Sequence, residues 1–182
     1  MRGLLIAISL VLVMLPARPA RSNDSDSFTA LFAITCMKYF YSHDQLRAQM
    51  ASSNVPTIPQ DRAASFLGGA HGTAWLVLQD GQRYVVVLRD DDICGVYAEH
   101  AAVDVVQKNF VALVGEAPAP LTAVKLDGAV SGPDSGALHT IAYGWSRPQD
   151  DSQLTFTLTT STTGVPVQAM ATLAYSKKRN PL

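Results

Sequence analysis

The stretch Thr73-Ala74-Trp75-Leu76-Val77-Leu78-Gln79-Asp80-Gly81-Gln82-Arg83-Tyr84-Val85-Val86-Val87-Leu88-Arg89 decides the fold class. Two runs of β-branched, aromatic and aliphatic residues flank Asp80-Gly81. An Asp-Gly pair between such runs is a strong short-range signal for a tight hairpin turn, because both turn positions accept positive φ. Strands are therefore expected over 73–79 and 82–89. The three aspartates Asp90, Asp91 and Asp92 make the next turn, and residues 93–98 read as a third strand. These three strands should form an antiparallel meander.

On the N-terminal side the period changes to a helical one. Phe28, Leu31, Phe32, Cys36, Tyr39 and Phe40 recur at the spacing of one helix face over 28–41. Asp24, Asp26 and Ser27 precede this run and supply caps and favourable charge. Ser42 with Gln45 three residues on has the form of a capping box, predicting a second helix over 43–51. Pro56 and Pro59 mark an irregular link, and 61–67 allows one or two helical turns ended by Gly68-Gly69.

On the C-terminal side, Val103, Val106, Phe110, Leu113 and Val114 define a helix face within 99–114, with Gly115 placed to cap it. Four further strands are expected over 121–126, 137–145, 153–160 and 165–175. Turns are expected at 132–134, 148–151 and 162–164. The order reads α-α-β3-α-β4. It describes one α+β domain with a mostly antiparallel sheet, N-terminal helices and one central helix. The domain is expected to span 23–175, with a flexible tail over 176–182.

The first 22 residues read differently. A short cationic start, Met1-Arg2-Gly3, precedes an apolar run from Leu4 to Leu15 that Pro16 ends. That is the layout of a secretory signal peptide, and about 12 apolar residues fall short of the roughly 20 needed to cross a bilayer. Ala20 and Ser22 give small residues at the −3 and −1 positions, so cleavage is expected after Ser22, leaving a soluble periplasmic or secreted product. No cysteine closes the apolar run, which argues against a lipid anchor. After removal of residues 1–22 the chain carries 11 basic and 15 acidic residues, a net charge of −4. Nucleic acid selects basic surfaces, so a nucleic-acid partner is not expected. The chain's two cysteines, Cys36 and Cys94, fit a structural disulfide in an oxidising compartment. It would tie the first helix to the third strand.

The landmarks also resemble an uncharacterised family of small exported or lipid-anchored bacterial proteins. They are the helix carrying Cys36, then Phe66-Leu67-Gly68-Gly69, Gly72-Thr73-Ala74-Trp75, Cys94-Gly95-Val96 and the helix ending Phe110-Val111-Ala112-Leu113-Val114. The resemblance implies an exported fold with the two cysteines paired, and implies no activity.

Catalytic chemistry finds no motif. His43, His71, His100 and His139 show no close metal-ligand spacing, so no metal is expected. The loop from Gly68 to Gly72 has three glycines in five residues, but lacks the spacing of a phosphate loop and reads as a connector. Asp90 to Asp92 could attract calcium, yet a solvated turn accounts for the run. Gly-x-Ser-x-Gly, Ser-x-x-Lys and a free cysteine with a histidine are missing. A carboxylate pair cannot be picked out either, with Glu99, Glu116 and 13 aspartates to choose from. The aromatics Trp75, Tyr84, Tyr97, Tyr143 and Trp145 serve either packing or recognition. The expectation is a non-catalytic binding, inhibitor or accessory protein without a cofactor, whose partner is an envelope protein. A dispersed hydrolase site and a small-ligand site at the glycine loop are the alternatives.

Overall fold

The computed structural model describes residues 24–126, 138–162 and 165–178. The segment expected to be a leader, the turn expected at 132–134, two of the three residues of the turn expected at 162–164, and residues 179–182 lie outside them. The described chain forms a seven-stranded antiparallel sheet and four α-helices: α1 (Asp24–Phe32), α2 (His43–Ser52), α3 (Gln60–Leu67), β1 (Gly72–Gln79), β2 (Gln82–Arg89), β3 (Cys94–Ala98), α4 (Val103–Val114), β4 (Thr122–Lys125), β5 (Leu138–Ser146), β6 (Ser152–Ser161) and β7 (Ala169–Lys177). The α+β class is as expected. The order gains one element, because the helical turns allowed over 61–67 form a helix of their own, α3.

The sheet runs β1-β2-β3-β7-β6-β5-β4. β1 to β3 form the meander, and Asp80 and Gly81 both take positive φ in the two-residue turn. After β3, α4 carries the chain to the far edge, and β4 to β7 fold back until β7 pairs with β3. One face of the sheet carries Trp75, Val86, Leu88, Val96, Leu158, Ala171 and Leu173, all buried. On it lie Phe28, Leu31 and Phe32 of α1, Leu46 and Met50 of α2, and Val106, Phe110 and Val114 of α4. Their spacing of three and four residues is what puts them on one side of each helix.

The first helix does not run unbroken to Tyr41. At Ala33–Met37 it widens into a π-helical turn, with the Lys38 N–H donating to the Ala33 carbonyl. The Thr35 hydroxyl donates to the Leu31 carbonyl inside the same turn. A π turn inserts one residue and rotates the residues beyond it, and here Cys36 faces the sheet and is bonded to Cys94 of β3.

Three local signals resolve differently from expectation. Ser42 caps α2 through its backbone carbonyl only, and its side chain makes no capping bond. Gly115 is right-handed at φ −70°, so it does not end α4 by a left-handed turn. The buried C-terminal end of α4 is served instead by the Trp145 indole, which donates to the Val114 carbonyl over 2.7 Å. The strand expected to stop at Tyr175 continues through Ser176 and Lys177, whose register partners are Gln153 and Ser152. The Lys178 N–H then donates to the Asp151 carbonyl.

Candidate functional site

The second face of the sheet is divided. Over β1 and β2 it is covered by α3, where Ala63 and Leu67 pack on Ala74, Val85 and Val87. Tyr97 marks the border. Its ring meets Phe66 edge-on at 5.4 Å and its hydroxyl donates to the Phe66 carbonyl over 2.7 Å. Burial pushes the Tyr97 phenol above its ordinary pKa, with the Arg89 charge opposing.

Beyond that border, β7, β6 and β5 present a different surface. Leu154, Phe156 and Leu158 of β6 point into the core, so by strand alternation Thr155, Thr157 and Thr159 point the other way. The register sets Thr157 opposite Thr172 of β7 and Thr159 opposite Thr140 of β5. The hydroxyls pair as they face one another: Thr140 with Thr159 at 3.0 Å, Thr155 with Ser176 at 2.6 Å, and Thr157 with Thr172. All six are half-buried. Between them sit Ala142, Gly144, Met170 and Ala174, which keep the surface low. At Gly144 a Cβ would lie 2.4 Å from the Gln153 side-chain oxygen, so the glycine lets that amide lie flat. Among the described residues, none that is ionisable occupies this face from Gly144 on β5 across to Thr172 on β7. It is a neutral, hydroxyl-bearing surface of short side chains.

The residues singled out from the sequence fall elsewhere. Each carboxylate of the aspartate turn takes its own nitrogen-bearing partner. Asp90 lies 3.8 Å from the Arg47 guanidinium, Asp91 accepts two bonds from Arg89 at 2.9 and 2.6 Å, and Asp92 lies 3.1 Å from His43 Nδ1. The Arg89 bonds hold the Asp91 carboxyl below its ordinary range, and Asp91 in turn raises Arg89. The turn is a clamp joining α2 to the β2–β3 connection. The His43 side chain is only 16% exposed, and its ring meets Phe40 edge-on. Opposite a carboxylate, Nδ1 carries the proton. Nε2 is buried without a hydrogen-bond partner among the described residues.

His139 accepts from the Gln107 amide, which also donates to Thr160. His71 gives its backbone carbonyl to the Asp90 N–H, and His100 lies in the exposed link after β3. Among the described residues no side-chain hydrogen bond joins His71 or His100 to an aspartate or serine, and no group of three or more His, Cys, Asp or Glu side chains is placed to hold a metal. The glycine loop is explained by its backbone. Gly68 caps α3 in the left-handed conformation, and a Cβ on Gly72 would sit 2.5 Å from the Leu88 carbonyl.

Of the five aromatics, Trp75, Tyr84 and Trp145 are buried in the core and Tyr143 packs against it. The exposed ones are Tyr41 at 84% and Tyr175 at 62%. Tyr175 pairs with Leu154 and shares its side of β7 with Ala171 and Leu173, yet it is exposed. The threonine face is not among the sites expected from the sequence. Its signal lies in Leu154-Thr155-Phe156-Thr157-Leu158-Thr159, a strict alternation of apolar and hydroxyl residues.

No protein-family model, curated protein or solved structure matches this chain. Among the described residues no helix is long and apolar enough to cross a membrane.

Proposed function

We propose that the chain is an exported, non-catalytic binding protein that meets a macromolecular partner of the cell envelope through the threonine face of β5, β6 and β7. The observation that carries this reading is the contrast within one sheet. One face is buried under α1, α2 and α4, part of the other lies under α3, and the remainder is uncharged with its hydroxyls held in pairs. A sheet face spread over three strands offers contact area to a large partner, whereas a small ligand needs concavity. Export is supported by the apolar run from Leu4 to Leu15 and by the bonded cysteines, which belong to an oxidising compartment. Acting as an inhibitor or as an accessory of an envelope assembly fits the same surface.

The test is affinity capture of the mature protein from an envelope extract, run beside Thr157→Arg and a surface control, Leu78→Arg. The native protein and the control should retain the same partner, and Thr157→Arg should lose it. Retention of nothing specific, or equal retention by Thr157→Arg, would refute the reading. Export is checked by N-terminal sequencing of the periplasmic product, expected to begin at Asn23; a full-length cytoplasmic product would contradict it.

A further inference from the structure

We infer that the Cys36–Cys94 bond locks the π turn at Ala33–Met37, and that the same segment has a second, α-helical register. Reducing the bond lets the segment turn Phe40 outward and Tyr39 inward. In a regular α-helix each residue advances about 100° around the axis. Counted from Phe28, Leu31 and Phe32 then fall within about 60° of the core direction, and Thr35 and Tyr39 within about 20°. Cys36 would stand about 80° away and Phe40 about 120° away. The fold reverses this: Cys36 is 1% and Phe40 9% exposed, while Tyr39 is only half-buried. One inserted residue explains the difference. The Lys38 N–H reaches back to the Ala33 carbonyl instead of to Ile34. That takes up about one residue's rotation and swings Phe40, and part-way Cys36, onto the buried stripe. A π turn is rare, and the apolar pattern here is that of an α-helix, so the hold comes from outside the helix. Cys94 supplies it, on the core face of β3 between Leu88 and Leu173, where the widened turn aims Cys36. The neighbouring connection is weaker. His43 and Arg47 of α2 meet exposed carboxylates of Asp92 and Asp90, and exposed pairs hold little. Both cysteines are buried, so a small dithiol reaches them through local opening. It gives up two electrons and two protons and closes to its own disulfide, the Sγ–Sγ bond breaks, and both cysteines become thiols.

The experiment is NMR of the mature protein oxidised, reduced with excess dithiothreitol, and with Ile34 deleted. The oxidised protein should show the Lys38 amide bonded to Ala33 and the Phe40 ring beside His43. On reduction the Phe40 ring should lose its contacts with His43, the Tyr39 ring should gain core contacts, and the Lys38 amide should bond to Ile34. The shifts of β4 and β5 should stay in place. Cys36→Ala with Cys94→Ala should give the reduced pattern without a reductant. Ile34 is exposed, and deleting it removes the inserted residue, so Cys36 and Phe40 fall on the α-helical stripe unaided. This variant should form the disulfide, show no π turn and keep its ring contacts on reduction. A reduced protein or alanine variant that keeps the π pattern with Phe40 buried would overturn the inference. So would one that unfolds or loses its helical shifts over 33–41, since it has no second register. A deletion variant that fails to fold, stays π-helical or leaves its cysteines free would overturn it as well.

Discussion

Gly72 and Gly144 look alike in the sequence and do opposite things in the fold. At Gly72 φ is +155°, and an added Cβ would meet backbone, 2.5 Å from the Leu88 carbonyl and 2.7 Å from the Arg89 Cα. Backbone cannot step aside, so Gly72→Ala should cost about 2–3 kcal/mol in urea unfolding. At Gly144 the obstacle is the end of the Gln153 side chain, which can turn away. Gly144→Ala should therefore cost less than about 1 kcal/mol while roughening the threonine face. Equal losses at the two positions would contradict this account. Tyr97 makes a prediction in pH. Its folded pKa is raised by burial, so its contribution to stability is whole below the unfolded value of about 10 and is lost as pH rises through the higher folded value. Tyr97→Phe should lose about 1 kcal/mol at neutral pH with the bond to Phe66. Its stability should then fall less steeply than the native protein's between about pH 9 and 11. Parallel pH profiles would show that the phenol is not responsible.

Among the elements, the first helix and β3 are held by the Cys36–Cys94 bond, whose partners stand 58 residues apart. In the chain-entropy model a loop of that length stabilises the fold by about 4 kcal/mol. Replacing both cysteines by alanine should lower the urea midpoint by that equivalent, and native protein under denaturing, non-reducing conditions should show no free thiol. A loss under about 1 kcal/mol would mean that helix packing alone holds this end. Much of this level is legible in the sequence. The Asp80-Gly81 turn, the strand over 82–89 and the apolar stripe of α1 depend on local chemistry, and a chain with two cysteines leaves one internal pairing. The rest depends on partners distant in the chain. The π turn is coupled to Cys94 on β3, the end of α4 to Trp145 31 residues on, and Asp90 to Asp92 to basic side chains on α2 and β2. A run of aspartates has the same composition whether it holds a metal or three basic side chains.

For the whole molecule, the long step of α4 from the centre of the sheet to its far edge has the largest consequence. It brings β7 against β3 and places three threonine-bearing strands side by side. α4 runs on the core side only, and α3 reaches no further than the first strands. The alternation within β6 can be read from the sequence, but which side stays open depends on where the helices settle. The aromatic surface suggested by composition goes into the core because Trp75, Tyr84 and Trp145 supply the bulk that spans the space between sheet and helices. The central claim is that the remaining neutral face is where the partner binds. Threonine-methyl NMR of the mature protein, free and with its captured partner, tests it directly. The methyls of Thr140, Thr155, Thr157, Thr159 and Thr172 should shift or broaden together, while those of the buried Thr29, Thr35 and Thr160 stay in place. A bound complex in which the five face methyls do not move would contradict the account.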